Sequence, residues 1–300
     1  MHIHKMYMHV KAGGCSCHPR QSTDSCLTDL ERIRPMPMLE LPDGKKLHYR
    51  EEGNGPALLL AHGSPGDSRS WSRVVPHLRE RFRVLAVDLP GYGGSDGVPD
   101  APVGRAALMG AAVARLAESA GVPVRLAGHS YGGVVAMQAG LQAAPGTIEA
   151  LVLFEPVFFR ALQITDDREA LDPAAAHFED YAGRAVAGEA GVVRLMIDYW
   201  FGEGAFARMP DPVRGYLDAN APRNALDVRS SFNDTATSAQ LAAFTPPVTV
   251  ICGDRSPEIV RAIGRGMVQL LPNARMDALA GANHGMLDSH PEAVARSIAG

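Results

Sequence analysis

A series of short runs in this chain is almost wholly apolar: Ala57-Leu58-Leu59-Leu60-Ala61, Val84-Leu85-Ala86-Val87, Val124-Arg125-Leu126-Ala127, Leu151-Val152-Leu153-Phe154 and Val248-Thr249-Val250-Ile251-Cys252. A strand that is apolar along its whole length has no face to turn to water, so it belongs in a sheet covered on both sides. Between the runs the apolar spacing is helical. It predicts helices over 70–81, with Trp71, Val74, Val75 and Leu78 on one face, over 103–120, after Ser130, over 259–271 and over 291–298. Leu47-His48-Tyr49-Arg50-Glu51 alternates like a half-exposed strand, and 275–279 reads as a last strand. Strands alternating with helices in this way specify an α/β fold, a mostly parallel, doubly wound sheet. Ligands of such sheets bind beyond the carboxyl ends of the strands. At those ends stand His62, Asp88, Ser130, Glu155 and Asp254.

Gly128-His129-Ser130-Tyr131-Gly132 has the form G-x-S-x-G, with a strand pattern before it and a helix pattern, Gly133-Val134-Val135-Ala136-Met137-Gln138-Ala139, after it. That context turns a weak motif into a specific one. A serine on a tight strand-to-helix turn has its Oγ pushed into the open, and the helix N-terminus behind it favours developing negative charge. Glycines lack a Cβ and leave room for the turn.

The bulk properties exclude several classes of function. A 300-residue chain with 46% hydrophobic residues can bury a full core. Its net charge of −4 suggests neither nucleic acid nor a membrane surface as partner. No apolar run approaches the roughly 20 residues needed to span a bilayer. Cys15, Cys17, Cys26 and Cys252 form no disulfide framework. Cys252 lies in an expected core strand and reads as a reduced, small hydrophobe, so the chain is expected to be cytoplasmic. Residues 1–37 hold His2, His4, His9 and His18 beside the first cysteines without periodicity. Cys15-x-Cys17-His18 lacks the spacing of a zinc module, and no apolar stretch makes a signal peptide. This leader is expected to be disordered. No metal or cofactor is expected.

One segment breaks the alternation. Residues 158–244 contain no convincing strand, are helical in pattern, and carry Phe178, Tyr181, Tyr199, Trp200, Phe201, Phe206, Tyr216 and Phe232. The segment is too long for a simple connection. It is expected to be a helical cap inserted over a core made of 38–157 and 245–300, its aromatics mostly core with a few lining a pocket.

At this point the chain resembles the α/β-hydrolase fold superfamily, in its serine-nucleophile branch with a helical cap. His62-Gly63-Ser64-Pro65-Gly66 is similar to the family's oxyanion-hole turn. Asp88-Leu89-Pro90-Gly91-Tyr92-Gly93-Gly94-Ser95 is similar to its D-x-P-G-x-G-x-S loop. Gly128 to Gly132 resembles the nucleophile elbow, and Gly281-Ala282-Asn283-His284-Gly285 the turn that bears the histidine. The resemblance implies Ser130 as nucleophile, His284 as general base and acid, and the backbone N–H groups of Ser64 and Tyr131 as oxyanion donors. His62 is expected to order its turn, His129 to pack beside the elbow, and Asp88 to fix its own glycine-rich loop.

The acid is where the pattern departs. The family's usual acid stands in a G-x-x-D turn, which here reads Gly253-Asp254-Arg255-Ser256, with Ser256 at the acid position. Asp254 lies two residues earlier. Some members instead carry the acid after the preceding strand, as one group of haloalkane dehalogenases does, and here that residue is Glu155, closing an apolar strand. A carboxylate there is costly unless paired, and an imidazolium would supply the pairing. Glu155 is preferred, with Asp254 as the alternative.

The resemblance also bounds the reaction. Haloalkane dehalogenases and related epoxide hydrolases use an aspartate at the elbow, and Ser130 argues against both. The expected activity is hydrolysis of a carboxylic ester, or a related acyl bond, of a small apolar substrate. Alternatives with the same triad are hydrolytic carbon–carbon cleavage, for which Arg160 or Arg194 could receive a carboxylate, and cofactor-free haloperoxidase-like activity. Outside enzymes, the alternative is a hydrolase-fold protein that binds a small molecule without turnover.

Overall fold

The computed structural model describes residues 37–300. The readings made of the leader and of Cys15, Cys17 and His18 therefore lie outside the described residues. An eight-stranded sheet forms the centre: β1 (Met38–Glu40), β2 (Lys46–Glu52), β3 (Ala57–Ala61), β4 (Arg83–Val87), β5 (Val124–His129), β6 (Ile148–Phe154), β7 (Val248–Gly253) and β8 (Ala274–Leu279). The spatial order is β1-β2-β4-β3-β5-β6-β7-β8. The β1/β2 and β2/β4 pairs are antiparallel and the remaining pairs parallel. The short β1 edge was not legible as a strand in the sequence.

The burial of β3 explains the double winding. All of its residues are buried, and they alternate between two cores because successive side chains point to opposite faces. Leu59 belongs to one core with Leu126, Met109 and Val134, whereas Leu58 and Leu60 belong to another with Trp71, Phe154 and Ile298. The first face is covered by α1 (Arg105–Ser119) and α2 (Tyr131–Gln142), the second by α10 (Pro291–Ala299), with α8 (Glu258–Leu270) beside β7 and β8. The four-residue helix α9 (Met286–Ser289) precedes α10.

The helix expected over 70–81 is instead a pair of 3-10 turns, Ser68–Trp71 and Val75–His77. Pro76 is the reason, since it has no N–H to donate and its ring crowds the carbonyl one turn back. The spacing still did its work: Trp71, Val74, Val75 and Leu78 are all buried.

Between β6 and β7 the chain is helical: α3 (Arg160–Thr165), α4 (Arg168–Val186), α5 (Arg194–Phe201), α6 (Asp211–Phe232) and α7 (Ser238–Ala243), with a 3-10 turn at Phe206–Arg208. Phe178 and Tyr181 are buried among these helices, and Phe159 stacks on Phe232 with ring centroids 3.8 Å apart. Among the described residues no helix is long and apolar enough to cross a membrane.

Candidate active site

Strands β3 to β7 end at Ala61, Val87, His129, Phe154 and Gly253, so His62, Asp88, Ser130, Glu155 and Asp254 each follow a strand end directly. Register brings two of them together. His129 pairs with Phe154 and Phe154 with Ile251, and the ladder runs one step further: the Ser130 N–H donates to Phe154 O and the Glu155 N–H to Ile251 O, each at 2.9 Å. Both residues leave the sheet through the left-handed region, Ser130 at φ 56° and Glu155 at φ 45°. The elbow is tight enough to dictate glycine. A Cβ on Gly128 would lie 2.4 Å from Gly132 O, and one on Gly132 2.4 Å from the carbonyl oxygens of Ala61 and His62.

Ser130 Oγ lies 3.0 Å from His284 Nε2, and His284 Nδ1 lies 2.8 Å from Glu155 Oε2. A carboxylate only accepts, so Nδ1 carries the proton and Nε2 is left to accept from the serine hydroxyl. Glu155 is fully buried. Its other oxygen accepts from the Gly253 N–H at 2.8 Å and from the Ser256 hydroxyl. Burial pushes this carboxyl up, but the hydrogen bond and charge of His284, then Ser256 and Gly253, outweigh it and hold it below the ordinary value. Asp254 is elsewhere engaged. It is exposed, and its Oδ1 accepts from the Gly281 N–H at 2.8 Å, tying the loop after β7 to the turn before His284. It makes no hydrogen bond or ion pair to His284, so the alternative acid is not brought to the histidine.

The His62-Gly63-Ser64 turn lies against the elbow: a Cβ on Gly63 would stand 3.1 Å from Ser130 Cβ. His62 is fully buried, donates from Nδ1 to Gly63 O and accepts at Nε2 from the Leu89 N–H, both at 2.9 Å. It thus orders two loops, and burial pushes its imidazole below the ordinary value. Asp88 accepts from the Ser68 and Gly94 N–H groups at 2.9 Å, holding its glycine-rich loop. His129 donates from Nε2 to His284 O at 2.9 Å. Burial first, and then the neighbouring His284, lower its value to about 3, so it is neutral.

A cavity of about 510 Å³ opens onto Ser64, Ser130, Tyr131 and His284. Tyr131 opens α2, so its N–H has no acceptor within the helix. The walls are largely apolar and come from the inserted helices, with Phe159, Phe178, Met196, Trp200 and Leu217 among them. Arg160 donates to Ala236 O at 2.8 Å, and neither Arg160 nor Arg194 lines the cavity, which removes the groups the sequence offered for carbon–carbon cleavage.

Two features of the site escaped the sequence reading. Trp200 of α5 stacks on the His284 imidazole, with centroids 4.7 Å apart at 18°, and Phe201 meets the same ring edge-on at 5.9 Å. The sequence had counted both only among the aromatics. The second is a polar stripe on α6, where Tyr216, Asn224, Asp227 and Ser231 recur at helical spacing. Asn224, Asp227 and Ser231 are buried and line the cavity. The spacing alone carried no signal of burial, since a polar stripe on a helix ordinarily faces solvent.

Comparison with known proteins bears on the family. The model of the alpha/beta hydrolase family matches residues 58–297. Polyketide synthase ThaQ of Burkholderia thailandensis is 29% identical over 273 residues, covering 85% of this chain but 12% of that protein. Bifunctional epoxide hydrolase 2 of Mus musculus is 31% identical over 134 residues, covering 38% of this chain and 24% of its own length. The chain thus spans a minor part of both. The crystal structure of a hydrolase from Pseudomonas aeruginosa PA01 superposes with a TM-score of 0.67 at 23% identity, covering 89% of this chain and 98% of that one. With the family model spanning β3 to α10, this chain belongs to the alpha/beta hydrolase family.

Proposed function

We propose that this chain is a serine hydrolase that cleaves a carboxylic ester, or a related acyl bond, of a small apolar substrate through an acyl-enzyme on Ser130. The observation that carries the reading is the unbroken hydrogen-bond chain from buried Glu155 through His284 to Ser130, the last two lining a largely apolar cavity. Ser130 Oγ attacks the substrate carbonyl carbon while His284 Nε2 takes its proton. Glu155 holds Nδ1–H and offsets the charge of the imidazolium. The carbonyl oxygen, now negative, accepts from the N–H groups of Ser64 and Tyr131; donors of this kind contribute about 3–4 kcal/mol in the transition state. His284 returns the proton to the leaving alkoxide, and the alcohol departs. Water then attacks the acyl carbon with His284 as base, releasing the acid and restoring Ser130.

The helices between β6 and β7 act in this reading as the cap that excludes water and selects an apolar group. Ser130 at the elbow, where the resemblance places an aspartate in epoxide hydrolases, favours acyl transfer over epoxide opening. The partner is a small molecule, and the mechanism calls on no metal or cofactor. Cys252, free and buried, suits a cytoplasmic location.

A burst assay with p-nitrophenyl butyrate tests the reading. The expected result is a stoichiometric burst followed by turnover, with Ser130→Ala lowering turnover by on the order of 10⁴-fold or more. Turnover that survives Ser130→Ala, or none on short and medium esters, overturns it.

A further inference from the structure

We propose that helix α6 sets the backbone amide of Ser64 through a one-way hydrogen-bond chain, which makes Asn224 and Asp227 positioning residues for the oxyanion site. The inference rests on the function proposed above, in which that amide is an oxyanion donor.

The chain of bonds has a direction that its chemistry fixes. Arg105 can only donate, and its Nε does so to Asp227 Oδ1 at 2.7 Å. The Tyr92 hydroxyl donates to Asp227 Oδ2. Burial, and then the adjacent Asp227 carboxylate, push the Tyr92 phenol well above its ordinary value, so it keeps that proton and has no second one to give. The Ser64 hydroxyl, 3.0 Å from Tyr92 Oη, must therefore be the donor in that contact. From its other side Ser64 Oγ accepts from Asn224 Nδ2 at 3.0 Å. The orientation of the Asn224 amide is in turn set by Tyr181, whose hydroxyl donates to Asn224 Oδ1 at 2.7 Å. The sequence of donors is Asn224 to Ser64 to Tyr92 to Asp227, with Arg105 as counter-ion at the far end.

Two consequences follow. The proton of the Ser64 side chain is engaged, so what Ser64 can offer an oxyanion is its N–H. And that N–H is aimed by a side chain clamped between two elements, the loop after β4 and helix α6. A third grip adds to these: Tyr216, also on α6, donates to Pro65 O at 2.9 Å. Asn224, Asp227, Tyr92 and Arg105 are each at most 3% exposed. A buried ion pair is seldom a gain in stability over apolar residues of similar size. Its placement against the Ser64 turn gives it a use that an apolar stripe could not supply, because hydrogen bonds are directional and apolar contacts are not.

The test separates aim from scaffold. An alkyl trifluoromethyl ketone adds to Ser130: the Oγ–carbon bond forms, the hydroxyl proton passes to His284, and the carbonyl oxygen becomes an oxyanion. The matching methyl ketone binds without that addition. With the full chain, inhibition constants for both are measured on the parent, on Asn224→Leu and on Tyr92→Phe, alongside kcat and KM for p-nitrophenyl butyrate. Tyr92→Phe removes one oxygen and keeps the Arg105–Asp227 pair, so it serves if Asn224→Leu does not fold. The expected result is that each folded variant weakens the trifluoromethyl ketone at least tenfold and lowers kcat in step, while the methyl ketone constant and KM move less than threefold. Equal weakening of both ketones, or no change in either, overturns the inference and leaves the serine hydrolase reading standing. A parent that binds the trifluoromethyl ketone no tighter than the methyl ketone overturns both.

Discussion

Ser256 donates its hydroxyl to Oε1 of Glu155. The position where the resemblance places the family's usual acid, and the carboxylate that meets His284 here, therefore touch across the ends of β6 and β7. Two strand ends thus meet at the one carboxylate that pairs with the imidazole.

That convergence predicts an exchangeable acid. Glu155→Gln is expected to lower kcat on p-nitrophenyl butyrate by about 10⁴-fold, as loss of the acid does in other serine triads. Combining Glu155→Ala with Ser256→Asp is expected to recover about tenfold or more over Glu155→Ala alone, roughly 1.4 kcal/mol of barrier. Steady-state kinetics of the variants check this. No gain from the added aspartate would mean that the end of β7 cannot reach His284.

The backbone of Ser130, at φ 56° and ψ −122°, predicts stored strain. A side chain held in such a region costs on the order of 1–3 kcal/mol, and glycine relieves it. Ser130→Gly is expected to raise the urea midpoint relative to Ser130→Ala while both lack turnover. Equal midpoints would show the elbow to be unstrained.

The stack of Trp200 on His284 predicts a kinetic role for a residue of the inserted helices. Small displacements of a reacting group can cost about a hundredfold in rate. Trp200→Ala is expected to lower kcat by roughly ten- to a hundredfold, and Trp200→Phe, which keeps an aromatic face, to recover most of it. A change confined to KM would assign Trp200 to substrate packing instead.

Acid should destabilise the fold through His129. Its folded value is about 3 against an ordinary 6.5, so between those limits the unfolded chain takes up a proton that the folded chain refuses. The stability it contributes is complete above about pH 6.5 and is lost as the pH falls toward 3. His62, also lowered by burial, acts with the same sign. Melting temperatures between mildly alkaline and mildly acid pH are expected to fall for the parent. They should fall less for His129→Gln, whose amide can still donate to His284 O. Identical slopes would remove His129 from the cause.

Much of this arrangement was legible because it depends on local pattern. The apolar runs marked β3 to β7, the chemistry-bearing side chains stand within three residues of the end of each run, and the glycines around Ser130 announced the tight elbow. What depends on register was not. Nothing in the spacing of Glu155 and Asp254 says that β6 and β7 are neighbours with Phe154 opposite Ile251, and that pairing decides which carboxylate faces His284. The helix expected over 70–81 failed at Pro76, where apolar spacing outweighed a visible breaker. The stripe on α6 was missed because buried polar residues look, in sequence, like a solvated face until Arg105 and Tyr92 are known to lie against them.

The inserted helices touch both sides of the site, through Trp200 on His284 and Asn224 on Ser64. A segment that only frames a pocket could drift freely or be grafted whole from a relative. This one is expected not to be, because a foreign insert would lack the contacts that Trp200 makes with the imidazole and Asn224 with the Ser64 turn. Substitutions that change which substrate is taken are therefore expected to be tolerated at apolar wall residues such as Met196, Ile197 and Leu217, and not at the two anchors unless the sheet loops they hold change with them.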